Sequence, residues 1–154
     1  MIMSKKDFFE IMEGNRRLTL RAIEAFPEDK FFEYTPDEKL RPFSEMIKEI
    51  VNIESGYMHG VALDKWEYKD VFEGANKKEE FLQISQEVRD QTRKLFEEMN
   101  EERLNVVMQD PFFGPEMSHF ARLQYALENE IHHRGQGFTY LRLLGIEPPE
   151  FYVR

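Results

Sequence analysis

An all-α four-helix bundle in a single domain spanning 1–154 is the fold the sequence predicts, on three observations. Apolar residues recur at three- and four-residue steps in four long windows, and no stretch of six or more residues alternates strictly between apolar and polar. The windows are also separated by segments marked with Pro, Gly and capping residues. There is no internal repeat, no low-complexity tract and no composition break that would divide the chain. A domain near this length buries roughly 68–70% of its unfolded surface, and with 41% hydrophobic residues, a third of them aromatic, the core is sufficient without staples.

The first helix is expected over about 4–26, with Ser4 as N-cap, an apolar face of Phe8, Ile11, Met12, Leu18, Ala22, Ile23 and Phe26, and Pro27 as its stop. Residues 28–41 contain Pro36 and no period. Pro42 suits the first turn of a second helix reaching about Leu63, with the stripe Met46, Ile47, Ile50, Val51, Ile53, Tyr57, Met58 and Val61. A loop with Trp66, Tyr68 and Phe72 follows; Trp66 reads as its anchor to the bundle or as the mouth of a pocket. Asn76 with Glu79 resembles a capping box for a third helix, about 77–99, bearing Phe81, Ile84, Val88, Leu95, Phe96 and Met99. Between Asn100 and Met117, Pro111, Gly114 and Pro115 surround Phe112 and Phe113, so this reads as an irregular connection that packs its own aromatics. Ser118 caps the fourth helix, which runs to Leu144, with Gly145 as C′ residue and Pro148-Pro149 beyond it.

Composition narrows function. The net charge of −9 opposes nucleic acid as a partner, because backbone binding needs a basic surface. No apolar run approaches the ~18 residues of a membrane span. The charged N-terminal residues do not resemble a signal peptide. The absence of Cys excludes a disulfide framework and a thiolate zinc site, and fits a cytoplasmic protein.

On the fourth helix, beside an apolar sector of Phe120, Leu123, Leu127, Ile131, Phe138 and Leu141, runs a polar line: Arg122, Asn129, His133, Gln136 and Tyr140. Asn129 and His133 are four apart, a spacing that serves a metal ion as well as a hydrogen-bonded or solvated stripe. On the second helix Glu54 falls inside the apolar stripe, which calls for an arginine partner from another helix or for a chemical role. Glu49 lies on that stripe's flank and reads equally as a solvated edge residue. Asn15 falls on the apolar face of the first helix and reads as an interhelical hydrogen bond. Gly135, inside a helix at a cost of roughly 1 kcal/mol relative to Ala, suggests close approach of a neighbouring helix or a second subunit. His59 and His119 read as surface or cap residues. Gly-rich phosphate loops, His-Glu-x-x-His and Gly-x-Ser-x-Gly do not occur.

The string Asn129-Glu130-Ile131-His132-His133-Arg134-Gly135-Gln136, continuing through Tyr140-Leu141-Arg142 to Gly145 and Pro148-Pro149, resembles the last helix of the DinB-like (DinB/YfiT-like) superfamily. The segment from Arg41-Pro42-Phe43-Ser44-Glu45 through Glu54 is similar to that family's second helix. The resemblance implies a four-helix bundle with a crossover connection, a homodimer, and a divalent metal held by three histidines that activates a small thiol for transfer or isomerisation. Carried over residue by residue, the three metal positions fall on Glu49, Asn129 and His133, so one histidine of three is retained. Such a set suits a harder ion better than zinc, or no ion. Glu54, His132 and Gln136 match the supporting part of the motif and are the expected contacts to a cofactor or small-molecule ligand. Three functions follow: a metal-dependent, thiol-linked transferase or isomerase with an altered site, a binding or structural protein that has lost the metal and kept a polar pocket, or a purely oligomeric scaffold.

Overall fold

The computed structural model describes residues 2–154, and its order is α1 (Lys5–Ala25), α2 (Glu28–Glu33), α3 (Phe43–Leu63), α4 (Lys78–Glu98), a 3₁₀ turn (Glu101–Asn105), β1 (Val107–Gln109), β2 (Glu116–Ser118) and α5 (His119–Leu143). The four long helices lie where periodicity placed them. Ser4 caps α1 in a reciprocal box with Asp7. Ser118 accepts from the Ala121 amide at the start of α5. At the end of α5, Gly145 takes φ +77°, and the Ile146 amide donates to the Leu141 carbonyl. The α4 box is shifted by one residue from expectation, since Lys77 is the cap and the Glu80 carboxylate accepts from the Asn76 and Lys77 amides.

Two elements depart from the four-helix expectation. α2 is a six-residue helix where no period was visible, because so short a helix exposes too few positions to repeat. It exists to bury Phe31, whose ring meets Phe26, Phe43 and Phe81 at 5.3–6.1 Å. The connection after α4 is partly ordered as an antiparallel hairpin, with Val107 opposite Ser118 and Gln109 opposite Glu116. Its strands are three residues long and mostly exposed, so no alternating apolar pattern announced them. Ile11, Phe120 and Ile131, expected in the core, are exposed.

The packed pairs among the long helices are α1–α4, α1–α5, α3–α4 and α3–α5, so α1 and α3 lie on one diagonal. Two apolar clusters give the helix directions. One joins Ile23 and Phe26 at the end of α1 to Met46 and Ile47 at the start of α3, Phe81 at the start of α4 and Leu141 at the end of α5. The other joins the opposite ends, among them Phe8, Met58, Phe96 and Leu123. Hence α1 and α5 run one way, and α3 and α4 the other. Adjacent parallel helices need a connection that returns along the bundle, and residues 64–77 are that crossover. The Asn52 side chain pins it: Oδ1 accepts from the Val71 amide and Nδ2 donates to Asp70, next to Phe72, which stacks on Phe81. Among the described residues no helix is long and apolar enough to cross a membrane.

Between the two clusters lies a buried ionic layer with one member from each long helix. Arg16 of α1 donates to Glu54 at 2.5 Å and to Glu130 of α5 at 3.0 and 3.1 Å. Arg89 of α4 donates to both oxygens of Glu54, at 2.8 and 3.1 Å, and to Glu13. Asn15 meets the interhelical expectation, its side-chain oxygen accepting from Arg134 at 3.0 Å. Burial alone would raise the Glu54 carboxyl, but the Arg16 and Arg89 guanidiniums outweigh it and hold it down to about 2. The stabilisation this gives is full above the ordinary value of 4.5 and is lost as pH falls toward about 2. Glu54→Gln should therefore lower the unfolding free energy by about 3–5 kcal/mol at pH 7, measured by urea titration, and the gap from the native protein should narrow below pH 4.5. An equally stable variant at pH 7 would mean that the layer does not organise the bundle.

Candidate functional site

Three turns of two antiparallel helices face one another along the α3–α5 seam. Glu49, Ile53 and Tyr57 lie four apart on α3, and Tyr125, Asn129 and His133 lie four apart on α5, a stripe about 12 Å long on each. A cleft of about 520 Å³ opens against this seam, lined by Glu49, Ile53, Tyr57 and Tyr125, by Tyr68 from the crossover and by Pro111, Phe112 and Phe113 from the hairpin loop.

The polar end is a four-residue cluster. His133 is buried, with Nδ1 2.6 Å from the Gln136 amide oxygen and Nε2 3.0 Å from Glu49 Oε1. Glu49 Oε2 accepts from Arg41, whose Nη2 also lies 3.4 Å from His133 Nε2. The Arg41 backbone is held by Tyr140, whose hydroxyl donates to the Arg41 carbonyl at 2.9 Å, while the Arg41 side chain is half-exposed. Partial burial works to raise the Glu49 carboxyl, yet the hydrogen bonds from Arg41 and His133 prevail and lower it. The carboxylate at this end is therefore ionised at neutral pH and is already matched to a cation. Asn129 is buried beside this cluster on the α5 stripe, and its Nδ2 has no hydrogen-bond partner among the described residues.

This arrangement does not fit a resident divalent ion. A metal between Glu49 and His133 would have to share their facing atoms with a guanidinium that is permanently charged. Both Glu49 oxygens are engaged, one by Arg41 and one by His133.

The apolar end depends on Asp110, fully buried at the head of the hairpin loop. Its Oδ1 accepts from the Phe112 and Phe113 amides at 2.9 and 2.8 Å, which turns both rings toward the seam. Its Oδ2 accepts from the Tyr57 hydroxyl at 2.9 Å and from Arg122 Nε at 3.1 Å. Arg122 in turn donates to the Met108 and Met117 carbonyls, one on each strand. Gly56 and Gly60, one turn apart on α3, form the floor on which the loops rest. A β-carbon at Gly56 would lie 3.3 Å from the Phe112 ring, and one at Gly60 would enter the indole of Trp66.

The expected site residues separate accordingly. Glu49 and His133 meet, Gln136 orients His133, and Asn129 shares their stripe. Glu54 belongs to the buried ionic layer one helical face away and is satisfied there by two arginines, so it does not reach the cleft. His132 is exposed, with its ring edge-on to His133 at 4.9 Å. Gly135 meets nothing within 4 Å; the closely approached glycine is Gly137, against Phe43. His119, expected as a surface or cap residue, is the first residue of α5 after its cap Ser118 and is fully buried. Burial and the adjacent Arg122 charge push its pKa down to about 4, and its Nδ1 accepts from Arg122 at 2.9 Å. Trp66 is the anchor that the sequence suggested. Arg41 and the aromatic wall went unassigned, although Asp110-Pro111 before two phenylalanines and a Gly-x-x-x-Gly pair on α3 were available signals.

The model described as the DinB family matches residues 1–154. A DinB-like protein from Bacillus subtilis is similar at 24% identity, over 94% of this chain and 98% of that one, with a TM-score of 0.70. A DinB-like protein from Bacillus cereus is similar at 19% identity, over 99% of this chain and all of that one, with a TM-score of 0.78. Identities this low speak to the fold alone. Among curated proteins, none matches the chain.

Because Trp66 is the sole tryptophan and its ring lies 6.0 Å from Phe112, its emission reports on the loop. Asp110→Ala should shift that emission to the red and cost on the order of 3 kcal/mol in stability, with helical circular dichroism unchanged below the transition. Native emission and native stability would show that Asp110 does not hold the wall.

Proposed function

Given that the chain belongs to the DinB family, we propose that it is a small-molecule-binding member in which Arg41 stands against Glu49, the one carboxylate of the cleft wall, where the family resemblance leads one to expect a metal. The observation that carries this reading is the guanidinium placed against Glu49 and His133 at the head of a cleft of about 520 Å³. That volume lies within the range of small-ligand sites, and its mainly apolar wall with a few convergent polar groups is the usual composition of such a site. The arrangement supports binding and orientation of a ligand. Glu49 supplies an ionised acceptor on the cleft wall, Arg41 and His133 hold it from outside that wall, and aromatic rings line most of the remainder. A homodimer is part of the proposal, supported by the exposed α5 stripe of Ile131, Gly135 and Leu143.

The metal-dependent, thiol-linked reading requires Arg41 to withdraw from Glu49, and no observation favours that movement. Screening a mixed small-molecule library against the isotope-labelled protein by NMR tests the proposal. Hits should perturb the Phe112, Phe113 and Tyr125 amides together, and Arg41→Ala should alter their affinity. Hits that cluster elsewhere on the bundle, or none at the cleft, would contradict it.

A further inference from the structure

The walls of the cleft specify more than size. Of the residues that line it, five present aromatic rings: Tyr57, Tyr68, Phe112, Phe113 and Tyr125. They form a connected enclosure, not a stack. Tyr68 meets Phe112 at 6.1 Å and 75°, Phe113 meets Tyr125 at 5.6 Å and 68°, and Tyr57 meets Tyr125 at 6.2 Å and 79°. These three pairs are steeply inclined, while Tyr57 lies at 37° and 39° to Phe112 and Phe113, so the rings border the cleft at several different angles. Each aromatic face carries the negative side of a quadrupole, and a box of such faces is suited to an organic ammonium ion.

The ionisable groups on the wall have the matching sign. Apart from the tyrosines, the one titratable residue lining the cleft is Glu49, and no Lys, Arg or His lines it. Arg41 approaches Glu49 without forming part of the wall. The Tyr68 and Tyr125 phenols are pushed up, first by burial and then by the Glu49 charge, so Glu49 is the charged group of the wall. The Tyr57 hydroxyl points away to Asp110, leaving its ring to the enclosure. The whole molecule carries −9, which favours cations over anions near its surface.

We infer that the cleft is an aromatic cage for a small organic ammonium ion, of the quaternary or alkylated-amine class, with Glu49 as the anionic member of the cage. This rests on the small-molecule reading proposed above and names its ligand class. Choline, its uncharged carbon isostere 3,3-dimethyl-1-butanol, and benzoate are titrated against the full chain by NMR. Choline should bind about tenfold or more tightly than the isostere, with shifts at Phe112, Phe113 and Tyr125. Glu49→Gln and Phe113→Leu should each weaken it several-fold, and the second variant leaves the polar cluster intact. Equal affinity for the isostere, or preference for benzoate, overturns the ammonium class and leaves the small-molecule cleft standing. If none of the three probes binds, the inference fails as well, whereas the library screen at the same amides decides the broader reading separately.

Discussion

Two arginines and two glutamates, one from each long helix, meet where no water reaches them, and the position of every other functional group follows from that meeting. Arg16, Glu54, Arg89 and Glu130 are each almost fully buried. A charge so placed is tolerated only when its partner is at hydrogen-bonding distance, so sliding any helix by one turn would strand charges in the core. The layer therefore fixes the depth of α1, α3, α4 and α5 relative to one another. With α3 and α5 antiparallel, five residues before Glu54 and three after Glu130 lead to the same level, and there Glu49 meets His133 at 3.0 Å. Three residues after Glu54 and five before Glu130 lead to another, where Tyr57 meets Tyr125 at 6.2 Å. The two ends of the cleft are consequences of one ionic register.

The walls that close the cleft come from segments outside the helices, and each is tied down by a side chain of the bundle. Asn52 holds the crossover, and Asp110, gripped by Arg122 and Tyr57, holds the hairpin loop. Gly56 and Gly60 let Phe112 and Trp66 approach α3 closely. The arrangement places a rigid helical seam beneath adaptable aromatic loops, a common division between the positioning and the contacting parts of a binding site.

The long helices were legible because each repeats its apolar face over about six or seven turns and they are bounded by Ser4, Pro27, Pro42, Ser118 and Gly145. The salt-bridge role of Glu54 was legible too, since a carboxylate inside an apolar stripe requires a cationic partner. Its two arginines were not identifiable, because Arg16 and Arg89 sit among charged neighbours and one-dimensional spacing does not say which of them turns inward. α2 and the hairpin were illegible for want of length. At the site, resemblance brought Glu49, Asn129 and His133 to one stripe pair, but Arg41 lies eight residues from Glu49 in a segment without period, so its arrival beside His133 depends on how the chain enters α3. The aromatic wall is assembled from four separate segments, and only the fold brings them together.

The central claim is that a guanidinium stands against Glu49 and His133, where the family resemblance implies an open cation site. Arg41 stays charged at every pH that keeps the Glu49 carboxyl ionised, and it contacts both Glu49 and His133. Calorimetric titration of zinc into the metal-stripped native protein at neutral pH tests this most directly, with the His133 ring resonances followed in parallel by NMR. The account predicts no stoichiometric binding and no displacement of the His133 signals at micromolar zinc. One equivalent of zinc bound tightly with loss of those signals would contradict it, and would return Glu49, Asn129 and His133 to the role of metal ligands.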